Sequence, residues 1–432
     1  MQNQTKIEKL IEKLPLLRKI DLDLSRINRL NKDLKINLEK LQSKCITLTG
    51  TNGKFSTAIT IRSIFETAGY KVDLFTSPHV QNYTERFVFE SKEISEESLI
   101  ELLNEVSRVN GKRPITVFEF LTSAFFFYCD KKSNSSIIIA ENGLFNRADS
   151  VTSIGNHLMK IINSISLDHV DWLPEGKKNL NQIIVEKTSN VNCSNIVVSE
   201  QNDKKTLEKI YQNLKNNSAK KKILFSQDYD YEINQEGFLY KEKNFTIQIP
   251  KPNFPGDHMV PNTAVAIAAV RNLKKYDIKD EHIINGVKSV KNTKGRLEIL
   301  YKNLLKKIAP DSTIYLDVAH NPDAGLKISE FLNTINKGKG ISLIVGMMNN
   351  KLHFEFISCF KETKVDEIVA VNIPGNKNCI KKEELKKIIE KVGIKAKTES
   401  SIEDALKYLA PKSSTILVCG SIYLIGALKN LN

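Results

Sequence analysis

Gly50-Thr51-Asn52-Gly53-Lys54-Phe55-Ser56-Thr57 constrains this chain more than any other stretch, because it joins a strand-like segment to a helix-like one. Cys45–Thr49 is short, apolar and β-branched, the pattern of a buried strand. After the loop, Ile59, Ile61, Ile64 and Phe65 recur near helical spacing until Gly69 offers a stop. A strand, a glycine-containing turn and a helix N-terminus aim backbone N–H groups and a positive helix end at one anion. Lys54 adds a mobile charge, and Ser56 or Thr57 a hydroxyl for phosphate or Mg²⁺. The common Walker A pattern needs a glycine where Leu48 stands. Gly-x-x-Gly-Lys alone also suits an ordinary strand-to-helix turn; the flanking strand and helix favour phosphate.

At 432 residues the chain is too long for one ordinary core, so two domains are expected. It is 41% hydrophobic and 26% charged, with no long polar tract. No apolar run approaches the roughly 20 residues that span a bilayer. Met1–Lys13 lacks the apolar core of a secretory signal, so a cytoplasmic protein without a membrane partner is expected. The net charge of +14 raises a nucleic-acid reading, but lysine is scattered. Runs such as Lys220-Lys221-Lys222 and Lys306-Lys307 suit solvated faces, and no nucleic-acid motif accompanies them. No nucleic-acid partner is expected; the positive field would instead collect small polyanions such as ATP and polycarboxylates. Cys45, Cys129, Cys193, Cys359, Cys379 and Cys419 are dispersed without a Cys-x-x-Cys pair, as reduced thiols would be.

Apolar strand candidates alternate with helical segments, the pattern of an α/β fold with a mostly parallel sheet. Tyr70–Phe75 ends in Thr76-Ser77-Pro78-His79, Ser136–Ala140 ends at Glu141, and Lys160–Ser166 ends at Leu167-Asp168-His169. Phe118–Cys129 reads as a buried helix and Asn262–Leu273 as an alanine-rich one. Polar residues thus gather at the carboxyl ends of strands, the edge where such sheets bind ligands. The lysine- and asparagine-rich stretch 204–252 reads as a peripheral part of the first domain. Ser289–Gly295 suits a linker, after which Thr313–Leu316, Ile341–Val345, Glu367–Val371 and Thr415–Cys419 restart the alternation. The expected domains are 1–292 and 297–432.

These motifs, from Ile20 to about Leu428, resemble the Mur ligase superfamily, and within it the folylpolyglutamate synthase/dihydrofolate synthase family. The phosphate loop matches Gly-Thr-Asn-Gly-Lys-Gly-Ser/Thr except at Phe55. Phe75-Thr76-Ser77-Pro78-His79 with Glu85-Arg86 resembles the folate-type signature. Glu141-Asn142-Gly143-Leu144-Phe145-Asn146-Arg147-Ala148-Asp149 resembles Glu-Val-Gly-Leu-Gly-Gly-Arg-Leu-Asp. Leu167-Asp168-His169, Glu186-Lys187, Gly295-Arg296-Leu297-Glu298, Leu316–Pro322 and Gly420–Gly426 fit further blocks. The implied fold is a Mur-ligase-like P-loop N-terminal domain and a smaller Rossmann-like α/β C-terminal domain that closes over ATP.

The resemblance implies that Mg·ATP phosphorylates a substrate carboxylate and an amine attacks the acyl phosphate. Ser77, Glu141 and His169 would be the magnesium ligands. Gly53, Lys54, Phe55, Ser56, Asn262, Arg296 and Asp317 would hold ATP, with His320 facing the nucleotide. Lys54, Lys187 and His320 would be catalytic, Lys187 at the position of a carbamoylated lysine. Thr116, Val117, Phe118, Glu119, Ala148, Asp149 and Ser150 would contact dihydropteroate, and Ile20–Arg26 resembles the same branch's N-terminal segment.

Blander alternatives stand beside several of these. Asn262 suits a helix N-cap, Phe118 a core ring, Glu119 a paired structural carboxylate, and Lys187 and Arg296 surface charges. Phe55, Asn142, Phe145, Asn146, Thr293-Lys294 and Asn350 depart from the family pattern, but no implied metal ligand is lost. The expected activity joins L-glutamate to dihydropteroate and extends tetrahydrofolate, by a cytoplasmic monomer. The rivals are a cell-wall amino-acid ligase, a catalytically silent nucleotide-binding protein and, on charge alone, a nucleic-acid binder.

Overall fold

Strand β1, Cys45–Thr49, is buried at every residue and lies inside an eight-stranded sheet. The other strands of that sheet are β2 (Val72–Phe75), β3 (Phe87–Phe89), β4 (Lys92–Glu93), β5 (Ile137–Glu141), β6 (His157–Ile162), β7 (Cys193–Val198) and β8 (Lys221–Leu224). Their order is β4-β3-β2-β5-β1-β6-β7-β8, with β3 antiparallel to both its neighbours β2 and β4 and the other pairings parallel. Parallel strands covered on both faces need apolar side chains on both, hence the isoleucines of β5 and the Ile, Leu and Met of β1 and β6. The computed structural model describes residues 5–17, 22–290, 294–301, 304–335 and 340–431. Ile20 and Asp21 of the N-terminal segment, and Lys291, Asn292 and Thr293 of the expected linker, lie outside them.

The chain divides into two units by its own contacts. The first comprises Met1–Ser166, Glu175–Asn253 and Val260–Lys291; the second comprises Leu167–Pro174, Phe254–Met259 and Asn292–Asn432. Two short stretches inside the expected first domain, one containing Asp168 and His169, therefore group with the second unit.

In the first unit, helix Val117–Lys131 lays Phe120, Phe125 and Phe126 into a core with Phe75, Phe87 and Phe89. Phe125 stacks on Phe75 at 5.1 Å and on Phe89 at 5.5 Å between ring centroids. Stretch 204–252 is more regular than its composition suggests: a helix, Lys204–Leu214, then β8 and an antiparallel sheet of β9 (Tyr229–Asn234), β10 (Gly237–Glu242) and β11 (Phe245–Pro250). Helix Met259–Arg271 begins three residues before Asn262, so Asn262 is not its N-cap.

The helix that follows the phosphate loop, Lys54–Thr67, is fixed from behind by helix Asp280–Lys288. Gly286 makes this approach possible: a Cβ there would meet the Ile64 Cα at 2.6 Å. Ser63 Oγ also donates to the Gly286 carbonyl at 2.7 Å. Gly286→Ala is expected to destabilise the protein by about 1–3 kcal/mol through overpacking, measured by urea unfolding. An unchanged midpoint would show that the helices separate freely.

The second unit carries a six-stranded sheet of β12 (Glu298–Ile299), β13 (Thr313–Leu316), β14 (Ile341–Val345), β15 (Val365–Ala370), β16 (Ala396–Thr398) and β17 (Thr415–Cys419). Its order is β12-β13-β17-β14-β15-β16, parallel except for β12. Leu343, Val345, Phe356, Ile389 and Leu417 are completely buried in its core. All six cysteines are free, four of them buried. Among the described residues, no helix is long and apolar enough to cross a membrane.

Candidate active site

The loop between β1 and helix Lys54–Thr67 turns on two glycines. Gly53 is left-handed (φ 87°) and Gly50 has φ 143°, conformations that a side chain rarely adopts. The loop is also crowded. A Cβ on Gly53 would lie 2.2 Å from Asn262 Oδ1, and one on Gly50 would lie 2.8 Å from the Asn163 Cβ. Phe55 stands in the first helical turn, where ordinary helical backbone suits any L side chain, so this departure from the family pattern brings no backbone strain.

The far side of the loop is pinned to the chain after β6. Thr51 N–H donates to the Ser164 carbonyl at 2.7 Å, and Thr51 Oγ1 both donates to Ser166 O and accepts from Ser166 N–H at 3.0 Å. These bonds explain why β6 ends at Ile162 and not at Ser166 as its composition suggests. Thr57 Oγ1 donates to Asn262 O at 3.2 Å and accepts from Asn163 Nδ2 at 2.8 Å. The Thr57 hydroxyl is thus engaged on two sides, and the neighbouring Ser56 is buried as well. Thr49 Oγ1, Asn163 Oδ1 and Ser164 Oγ, on the strand ends beside the loop, are buried without hydrogen-bond partners. Unsatisfied buried oxygens each carry a penalty of about 1–3 kcal/mol, and a polar strand edge at a binding site is where such a penalty persists.

Lys54 Nζ donates to the carbonyls of Gly50 (3.0 Å) and Thr51 (3.2 Å) and lies 3.8 Å from Glu141 Oε1. Glu141, at the end of β5, is 4% exposed and accepts from the Ser77 N–H at 3.1 Å. Arg86 donates to Ser77 Oγ at 3.2 Å and to His79 Nδ1 at 2.8 Å, while burial and then the Arg86 charge push His79 down to about 3. His79 therefore works as a neutral acceptor. Lys187 is buried, not a surface charge. Its Nζ donates to Gly50 O at 2.9 Å and Leu144 O at 2.7 Å, above the Phe145 ring.

Glu141 and Ser77 supply hard oxygens that suit Mg²⁺, an ion that keeps several waters and needs few protein ligands. Among the described residues no three His, Cys, Asp or Glu side chains cluster as a metal cage. The donor set thus fits a cation shared with phosphate oxygens better than an all-protein site.

Helix Val117–Lys131 opens with a capping box: Glu119 N–H donates to Thr116 Oγ1 at 3.2 Å, and Thr116 N–H to Glu119 Oε2 at 2.7 Å. Glu119 also pairs with Arg26 at 3.0 Å. The structural reading of Glu119 is therefore the one its contacts favour. Phe118 is half-buried, stacked on Phe75 at 5.9 Å, and its ring lies where a Cβ on Gly143 would reach 2.7 Å. Asp149 accepts from the N–H groups of Gly143, Leu144 and Val151 at 2.8–3.0 Å, so it shapes its loop and caps the turn Ser150–Ile154. Val117 and Ala148 are half-buried, and Ser150 is buried.

In the second unit, Asp317 at the end of β13 accepts from Leu297 and Ala319 N–H groups, both at 2.8 Å. Burial raises its pKa, opposed chiefly by the charge of Arg296. Arg296 is half-buried and donates to Lys294 O at 3.2 Å, so it is no isolated surface charge. Asp168 meets Lys351 at 2.8 Å, His320 at 3.4 Å and Asn321 at 3.4 Å. Burial works to raise the Asp168 carboxyl, but the His320 bond and the charges of His169, His320 and Lys351 hold it far below the usual range. His169 is left-handed (φ 59°), with its ring 3.7 Å from Asp168. Lys351, Asn163 and Lys160 escaped the sequence reading.

A family model described as Mur ligase, glutamate ligase domain, matches residues 295–422. The dihydrofolate synthase/folylpolyglutamate synthase of Escherichia coli K12 is 26% identical over 414 residues, 94% of this chain and 90% of that one. The protein of the same description from Bacillus subtilis 168 is 26% identical, covering 88% of this chain and 89% of its own. Among solved structures, E. coli FolC in complex with DHPP and ADP superposes with a TM-score of 0.84 at 25% identity, covering 98% of this chain and 96% of that chain. The Yersinia pestis bifunctional enzyme complexed with AMPPNP and Mn gives 0.82 at 26%, covering 97% and 95%.

Proposed function

We propose that this chain, which belongs to the Mur ligase superfamily, is an ATP-dependent ligase that joins L-glutamate to dihydropteroate and adds γ-linked glutamate to tetrahydrofolate. The observation that carries this reading is the partly buried Lys54 facing the buried Glu141 beside a glycine-turned phosphate loop. Curated relatives matching along nearly the whole chain bear the same activity in their names.

The reaction has two halves. The γ-phosphoryl group of ATP passes to a carboxylate oxygen of the folate precursor, and ADP leaves. The glutamate amine then attacks the acyl carbon, loses a proton, and displaces phosphate to leave an amide. The first half concentrates negative charge, which positioned cations must offset. Lys54 sits on the loop where that charge arrives, and the N-terminus of its helix adds backbone donors. Glu141, Ser77 and Ser56 would hold the divalent cation, with His169 implied by the family resemblance. When bound, the cation neutralises phosphate oxygens and aligns the transferred group. Arg296, Asp317 and Asn262 are assigned to the nucleotide, and Lys187 to holding the phosphate loop. The Phe118 ring is assigned to the flat pterin, for which an aromatic face is the natural partner. His320 is assigned to the nucleotide side. The working unit in this reading is a cytoplasmic monomer, which sedimentation of the purified chain tests.

Incubation with dihydropteroate, L-glutamate and Mg·ATP is expected to release ADP and phosphate in step with dihydrofolate, with no turnover of UDP-linked cell-wall acceptors. Tight ATP binding without acceptor-dependent hydrolysis would instead identify a silent nucleotide-binding protein.

A further inference from the structure

Lys160 is one of two lysines among the largest fully buried side chains of the described residues. It lies on β6, between Met159 and Ile161, and is completely buried. Removing an ammonium from water carries a penalty of several kcal/mol unless partners replace its hydration. Burial lowers its pKa to about 8, with Cys193, Asp149 and Cys45 acting in the opposite sense. Yet among the described residues no carboxylate receives it. Its Nζ donates to two amide oxygens, Asn146 Oδ1 at 2.7 Å and Asn142 Oδ1 at 3.2 Å.

Both asparagines belong to loop 141–149, and both stand where the resembling family block reads Val and Gly. They are tied to each other, Asn142 Nδ2 donating to Asn146 Oδ1 at 3.1 Å and to Phe145 O at 3.2 Å. Asn146 Nδ2 in turn donates to Ser189 O at 2.7 Å, at the end of the helix carrying Lys187. The loop begins at Glu141, and its Leu144 carbonyl is the acceptor that holds Lys187. One buried amine therefore joins the sheet to the loop bearing a proposed cation ligand and to the helix bearing Lys187, the lysine assigned to holding the phosphate loop.

We infer that Lys160, with Asn142 and Asn146, is a positioning device that sets loop 141–149 and through it the placement of Glu141 and Lys187. It acts through other groups and touches no substrate. Asn142 and Asn146 are then not isolated departures from the family pattern but the partners that a lysine at 160 requires. The role assigned to Glu141 and Lys187 rests on the ligase reading, whereas the loop's dependence on Lys160 does not.

The test compares Lys160→Met with the triple variant Lys160→Met/Asn142→Val/Asn146→Gly. Amide exchange is followed by mass spectrometry, and turnover is measured with dihydropteroate, glutamate and Mg·ATP. Lys160→Met should raise exchange in peptides covering 142–149 about tenfold while those of helix Val117–Lys131 stay protected. It should also lower kcat about 30-fold with little change in KM for ATP, as a displacement near 1 Å does. The triple variant should regain protection and most of kcat. Wild-type exchange and kcat in folded Lys160→Met, or a triple variant no better than the single one, would overturn the inference. Should Lys160→Met not fold, Asn142→Asp and Asn142→Leu give the same contrast. The first keeps an acceptor and should stay protected; equal exchange in the two would overturn the inference. Absence of turnover in the wild-type chain would defeat the ligase reading alone, since the exchange pattern still decides the role of Lys160.

Discussion

Lys54→Ala is expected to lower kcat/KM for ATP by about 10³-fold, the scale lost when a preorganised charge-stabilising group is removed from an acyl- or phosphoryl-transfer site. The reason is local. Lys54 Nζ is held by two carbonyls of its own loop and stands 3.8 Å from Glu141, so its position is set before nucleotide arrives. Lys54 is only partly buried, so its removal leaves a folded protein, and the loss should fall on turnover. Steady-state kinetics with dihydropteroate, together with an unchanged thermal midpoint, measures this. Glu141→Gln should give a comparable loss that excess Mg²⁺ partly recovers, because the amide keeps an oxygen but not its charge. Full synthetic activity in Lys54→Ala would remove the phosphate loop from the mechanism.

Lys187→Ala is expected to lower kcat by about 10²-fold, as misplacement of reacting groups does. Here the cause is different. Lys187 ties Gly50 in the phosphate loop to Leu144 in the loop after β5, and its loss leaves both carbonyls without that donor. Lys187→Arg should recover little, since a planar guanidinium cannot reproduce the compact ammonium at this buried point. Wild-type turnover that rises with added bicarbonate would show that a carbamate replaces one of these bonds during catalysis. A Lys187→Ala enzyme with wild-type kcat would show that the two loops hold their places without it.

The legible parts of this chain were those whose signal is local. The phosphate loop could be read because strand, glycine and lysine follow one another within a dozen residues. Glu141 could be read because it ends an unbroken apolar run, and β13, β14 and β17 match their expected bounds residue for residue. What escaped was non-local. Lys160 interrupts an apolar strand and looks like a solvent-facing position; its two acceptors lie 14 and 18 positions earlier in the chain. Asn163 follows the end of β6, and nothing beside it announces that it reaches Thr57, 106 positions away. Glu119 and Thr116 show the reverse. Their Thr-x-x-Glu spacing is itself a local capping signal, and the capping box is what the structure shows there. Asp149 is similar, a carboxylate that three neighbouring N–H groups engage.

The membership of Leu167–Pro174 and Phe254–Met259 in the second unit has a consequence for anyone who would dissect the protein. A truncation beginning at residue 292 would retain Lys351 and His320 yet discard Asp168, the carboxylate on which both converge. Such a fragment would bring to the test tube an incomplete module with an orphaned cation. Severing the halves cleanly would require grafting two borrowed peptides, not choosing one cleavage point.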